Sequence, residues 1–162
     1  MDKRIRSRVS LFNPVHFLAL GFGSGLATKM PGTFGTLAAL PLVVLLSVYS
    51  SFNIYLIVTI LISVVGIWIC GKAADDMGVH DDSSIVWDEL AGMLITMLAV
   101  PLSWQTLLAG FLLFRFFDIL KPWPISYLDK HVHGGFGIMI DDVLAGLFAL
   151  ACLHLCLVFG WL

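Results

Sequence analysis

The sequence predicts an all-α fold: a multi-helical integral membrane protein of about four to five helices, with a polar site at their cytoplasmic ends. Three observations carry this. Apolar residues make up 59% of the chain and charged residues only 12%, whereas a soluble domain carries about 25% charge. From residue 30 to residue 71 no charge occurs at all, which leaves room for two crossings of roughly 20 residues each. The remaining charges are gathered into a few short polar stretches.

The 162 residues suit a single domain, 1–162. Residues 1–12 are basic through Lys3, Arg4, Arg6 and Arg8, which by the positive-inside rule holds the N-terminus in the cytoplasm. No apolar core with a small-residue cleavage site follows, so no cleaved signal peptide is expected. Net charge is −2 and no further basic tract occurs, which argues against nucleic acid as a partner. Cys70, Cys152 and Cys156 lie in apolar segments without metal-type spacing, as reduced packing residues do.

Residues 13–28 begin as a short helix, with Pro14 suited to its first turn, and loosen into GFGSGLAT. Residues 29–36, KMPGTFGT, read as a glycine-rich loop with small hydroxyls. A helical hairpin follows at 36–50 and 54–72, broken only by Ser50-Ser51-Phe52-Asn53. Residues 72–88 form a polar loop with Asp75, Asp76, His80, Asp81 and Asp82. The next helix, 86–100, stops at Pro101, which lacks the N–H to continue it. Another, 104–120, carries Arg115 and Asp118 before Lys121-Pro-Trp-Pro124 breaks it. Residues 125–140 make a second polar loop ending in a flexible HGGFG, and the last helix starts near Asp141.

With a cytoplasmic N-terminus, four crossings return residues 72–88 and 118–142 to the cytoplasmic side. The opposite turns, 50–53 and 101–105, are short and uncharged. Every base, and every acid after Asp2, then lies at one face. Spanning a bilayer does not require that segregation; an interfacial active site does. An internal echo adds to it. Asp88-Glu-Leu-Ala-Gly92 and Asp142-Val-Leu-Ala-Gly146 match at four of five positions, each with acid and glycine on one helix face. Two such helices, packed closely through Ala-Gly, would bring Asp88 and Asp142 together.

Asp88, Glu89, Asp118, Asp141 and Asp142 are read as a carboxylate cage for Mg²⁺ or a similar hard cation, which takes oxygen ligands. The plainer alternative is helix N-capping. It would account for Asp88 and Asp142, but not for Asp118 near a helix C-terminus. Ionisable residues in membrane segments cost about 2.5–3.5 kcal/mol each, so five acids ask for a function. Arg115 or Lys121 could grip a phosphate; for Arg115, three residues before Asp118, mutual neutralisation is at least as good an account, so Lys121 is the better anion ligand. The 29–36 loop would cradle a phosphate with backbone N–H groups, although it lacks P-loop order. His131-x-His133 has metal-pair spacing, but solvated loop histidines are commoner. The four loop acids read as a wet loop, with Asp81 the best exception. There is no Cys-x5-Arg, no D-x-D-x-[TV] and no Gly-x-Ser-x-Gly. What remains for an acid-rich membrane-edge site is metal-assisted chemistry on a phosphorylated lipid.

With these segments quoted, GFGSGLATKMPGTFGTLAALP (21–41), HDDSSIVWDELAGM (80–93), FRFFDILKPWPI (114–125) and HGGFGIMIDDVLAG (133–146), the chain resembles the phosphatidylglycerophosphatase A family over nearly its whole length. Thr28 and Asp82 stand where that family often has proline, and His131 is outside the shared pattern. The resemblance implies Mg²⁺-dependent hydrolysis of phosphatidylglycerophosphate to phosphatidylglycerol and inorganic phosphate, at the cytoplasmic face of the bacterial inner membrane. Read onto this chain, Asp88, Glu89, Asp118 and Asp142 would hold Mg²⁺ and Asp141 would orient the attacking water. Lys29, Thr33, Thr36 and Lys121, with the amides around Gly32 and Gly35, would hold the phosphate; a carboxylate nucleophile stays open. Two rival classes are a small transporter using its carboxylates for proton or cation coupling, and a soluble helical protein with a large core. The transporter calls for carboxylates near mid-bilayer, whereas the sequence puts these at helix ends.

Overall fold

Every regular element among the described residues is helical. The computed structural model describes residues 8–79 and 82–162; Lys3, Arg4, Arg6, His80 and Asp81 lie outside them. Helix α1 (Pro14–Ala19) is capped by Asn13, whose side chain accepts from Val15 N at 2.9 Å, and Pro14 opens it. A 3-10 segment, Gly21–Leu26, leads to α2 (Pro31–Tyr49), and α3 (Phe52–Met77) returns. The 10-residue α4 (Trp87–Thr96) follows, then α5 (Trp104–Leu120), α6 (Ile125–His131) and α7 (Gly134–Val158).

Among the described residues three helices, α2, α3 and α7, are long and apolar enough to cross a membrane by length and composition. At ~1.5 Å per residue α4 is only ~15 Å long, half of a roughly 30 Å hydrocarbon core. The expected helix 86–100 is therefore a half-length one. Ahead of Pro101 the chain tightens into turns: Leu98 N donates to Ile95 O, and Ala99 is left-handed at φ 57°. Carbonyls near α4's C-terminus need partners away from water. Tyr55 Oη donates to Leu94 O at 3.0 Å, and His154 Nε2 lies 3.3 Å from Leu98 O.

α4 is the centre of the bundle. Every one of its residues except Asp88 is buried, against α2, α3, α5 and above all α7. The turn after α2 and the turn after α4 meet around Ser50, Phe52, Tyr55, Ala99 and Pro101, so the two uncharged turns share one end. Tyr49 and Trp104, beside these turns, are exposed and are of the types that favour a membrane interface.

Other boundaries also differ from expectation. Residues 31–36 are helical, not a loop; α3 continues through Asp75 and Asp76; Ile125–His131 is helical inside the expected polar loop 125–140; and α7 begins at Gly134 rather than near Asp141. At the glycine-rich stretches the cause is close packing. A Cβ on Gly135 would run into the Ile67 carbonyl of α3, and one on Gly35 would meet Val86 Cβ at 2.5 Å. These glycines let helices approach, and do not mark flexible chain.

Candidate active site at the carboxylate cluster

Three helices deliver the acids. Asp88 and Glu89 occupy the first turn of α4. Asp141 and Asp142 project from α7 two turns after its start, too deep to be N-caps. Asp118 lies near the end of α5, one turn beyond Arg115. The matching DELAG and DVLAG segments bring the first two helices together. A Cβ on Gly146 would stand 2.6 Å from Gly92 O, and one on Gly92 would stand 2.9 Å from Asp142 O. Only glycine permits this crossing, and it sets Asp142 beside Asp88 and Glu89.

One carboxylate oxygen from each of Asp88, Glu89 and Asp142 lies within 4.8 Å of the others. Asp118 is within hydrogen-bonding reach of Asp142 and acts electrostatically on Glu89. Arg115 Nη1 donates to Asp118 and sits 3.8 Å from Glu89 Oε1. Asp141 stands at the edge of this group. Its Oδ2 accepts from Lys121 Nζ at 2.6 Å, and Lys121 also reaches Asp129 Oδ1 at 2.5 Å.

Burial makes the cluster costly. Glu89 is only 9% exposed. Its carboxyl group faces the charges of Asp142 and Asp118. Burial alone would lower the Lys121 ammonium; its bonds to Asp129 and Asp141 prevail and raise it. Glu89 Oε2 and Asp141 Oδ1 are buried with no hydrogen-bond partner. Converging buried carboxylates require protons or a cation. An all-oxygen donor set with an orphaned oxygen fits a hard divalent ion such as Mg²⁺.

A family model described as phosphatidylglycerophosphatase A matches residues 17–157. The chain belongs to the phosphatidylglycerophosphatase A family. Among curated relatives, phosphatidylglycerophosphatase A of Haemophilus influenzae is 55% identical over 88% of each chain. The Escherichia coli protein of that name is 49% identical over 92% of this chain and 87% of its own. A putative phosphatidylinositol-3-phosphatase of Bacteroides thetaiotaomicron is 38% identical, covering 85% of this chain and 89% of its own. No solved structure matches. The chain is thus a phosphoric monoester hydrolase, and with its three apolar spans and bacterial relatives a bacterial inner-membrane protein.

Within this family member, the residues expected to hold phosphate divide. Gly32, Thr33, Gly35 and Thr36 lie inside α2, where Thr33 N donates to Met30 O and Thr36 Oγ1 donates to Gly32 O. They do not form a glycine-rich cradle. Gly32 instead faces Glu89 Oε1, and a Cβ there would also stand 3.1 Å from Arg115 Nη1. Lys29 is exposed just before α2. Lys121 is held by two acids, whereas Arg115, read as an ordinary ion-pair partner, adjoins the cage.

The other sequence candidates have local roles. His131 stacks on Tyr127 at 4.2 Å. Asp76 pairs with Lys72 and, at 3.2 Å, with His16. Asp82 accepts from Ser84 N at 3.0 Å. Asp129 escaped the sequence reading because its link to Lys121 crosses the Pro-Trp-Pro turn, which no helical spacing reveals.

Proposed function

We propose that this chain hydrolyses the terminal phosphomonoester of phosphatidylglycerophosphate, giving phosphatidylglycerol and inorganic phosphate. The observation that carries the reading is the meeting of Asp88, Glu89 and Asp142 oxygens within 4.8 Å, in a chain related to phosphatidylglycerophosphatases A at 55% and 49% identity. Asp88, Glu89 and Asp142, with Asp118 beside them, would hold Mg²⁺. A bound Mg²⁺ there would polarise the phosphoryl group and offset its charge.

The chain's own residues do the rest. Asp141, with Oδ2 fixed by Lys121 and Oδ1 unpartnered, orients a water and takes its proton as the oxygen attacks phosphorus. The phosphorus–oxygen ester bond breaks, the glycerol oxygen takes a proton from solvent, Asp141 returns its proton to solvent, and phosphate departs with the water oxygen. Exposed Lys29 and half-buried Thr33 line the approach at the start of α2. The basic N-terminal residues support a cytoplasmic position for this end.

Phosphate release from phosphatidylglycerophosphate in detergent, with and without EDTA, tests both halves. Turnover with added Mg²⁺ and its loss on chelation are expected. No release from this lipid overturns the substrate assignment, and metal-independent release overturns the Mg²⁺ role. The Bacteroides relative supports a second reading, in which phosphatidylinositol 3-phosphate is also cleaved. Competition between the two lipids in the same assay measures it.

A further inference from the structure

We infer that Arg115 is the residue that grips the phosphoryl group, its guanidinium receiving phosphate oxygens directly beside the carboxylate cage. The inference rests on the phosphatase reading above and adds a residue to it. Among the described residues, Arg115 is the cation that contacts Glu89 and Asp118. Lys121 is drawn away by Asp129 and Asp141.

The placement of the guanidinium is more than neutralisation needs. Nη1 donates to Asp118 and, at 3.5 Å, to Thr36 Oγ1, while the buried Nε has no hydrogen-bond partner. A cation kept only to balance Glu89 and Asp118 would turn its donors onto them, because an unmade bond in the interior is costly. Both Nη atoms instead lie over Gly32, 3.1 and 3.2 Å from where a Cβ would be. The missing side chain lets the fork and Glu89 Oε1 come up together to the first turn of α2.

Charge points the same way. Four carboxylates surround the cage, so a phosphomonoester dianion arriving there meets strong repulsion beyond what one divalent ion removes. Arginine keeps its charge in any such site, and its planar fork matches two phosphate oxygens at once. Lysine supplies the charge without the fork. That difference separates phosphate binding from simple neutralisation.

The test uses the full chain in detergent, comparing wild type with Arg115→Lys and Arg115→Gln. Three quantities are read: KM for phosphatidylglycerophosphate, inhibition by inorganic phosphate, and the half-saturating Mg²⁺. Arg115→Lys is expected to raise KM and weaken phosphate inhibition by about tenfold or more, with half-saturating Mg²⁺ little changed. Arg115→Gln is expected to lose more of both. Phosphate inhibition and KM within about twofold of wild type in Arg115→Lys overturn the inference, as does a change confined to Mg²⁺. If the wild type fails to turn over this lipid, the substrate reading falls. Inorganic phosphate binding to wild type and Arg115→Lys, followed by phosphorus NMR with Mg²⁺ present, then decides the role of Arg115 by itself. Where the variants do not fold, phenylglyoxal labelling of the intact wild type replaces them. Protection of the Arg115 peptide by inorganic phosphate supports the inference, and labelling unchanged by phosphate overturns it.

Discussion

Replacing Gly146 with alanine places one methyl group at the α4–α7 crossing, where it would stand 2.6 Å from Gly92 O and 3.2 Å from Gly92 Cα. Neither neighbour is a side chain that can swing away, and the Gly92 carbonyl is also held by Thr96 Oγ1 at 2.9 Å. Reaching ordinary contact at 3.4 Å requires the two backbones to part by about 0.8 Å. Overpacking of this kind costs roughly 1–3 kcal/mol, partly offset by the ~1 kcal/mol that alanine gains over glycine in a helix. Stability therefore falls by ~2 kcal/mol at most. Activity falls further, because the same movement carries Asp142 away from Asp88 and Glu89, and a displacement of ~1 Å at a reacting centre costs about a hundredfold. Gly110→Ala is the control. Its Cβ would meet Met97 Sδ at 2.7 Å, the end of a flexible side chain that adjusts cheaply. Phosphate release and thermal unfolding of both variants are measured in the same detergent. Near-normal activity in Gly146→Ala, or an equal loss in Gly110→Ala, refutes the claim that this crossing sets the site.

Tyr55→Phe removes the donor to Leu94 O and leaves that carbonyl unsatisfied, so unfolding should come ~1–2 kcal/mol sooner with phosphate release unchanged. Asp129→Asn loosens Lys121 from one side; as with other outer partners of a site, a roughly ten- to hundredfold fall in kcat is expected, with unchanged half-saturating Mg²⁺. Added Mg²⁺ should raise the wild-type unfolding temperature, by the equivalent of ~2.7 kcal/mol at a hundred times its Kd. Chelation should remove that gain, and Glu89→Gln should largely abolish it; a full Mg²⁺ shift in Glu89→Gln removes Glu89 from the ligand set.

Much of this architecture could be read from residue pattern alone, because apolar length and the confinement of charge are properties of sequence. The two membrane helices before residue 78 and the repeated acid-Leu-Ala-Gly pairing are examples. The glycines were harder. In KMPGTFGT and HGGFG they look like loop formers, since sequence does not say whether a missing Cβ serves a turn or a neighbouring helix. Here Gly35 makes room for Val86 and Gly135 for the Ile67 carbonyl. The surroundings of Lys121 and Arg115 were hidden for a similar reason. Arg115 to Asp118 is a helical spacing visible in sequence, but the pull of Asp129 on Lys121 depends on how α6 folds back after Pro124.

The shortness of α4 explains how a charged site can lie inside a membrane protein and still be reached. Trp87 Nε1 donates to Ile62 O, so the start of α4 sits ~15 Å along α3 from Phe52 and ~22 Å from Met77. Asp88 and Glu89, in the first turn of α4, are therefore level with the middle of α3, while Asp118 is near the end of its own helix. Yet Thr36 is only five residues into α2, and Asp118 only two from the end of α5. These helices stop close to the cluster, while α3 continues past it. Below the acids, Leu90, Met93, Leu94 and Phe114 are almost completely buried and form an apolar floor. A transporter needs a polar path onward from carboxylates at such a depth, and this floor opposes one. Carboxylates closed off by an apolar floor suit hydrolysis better than passage.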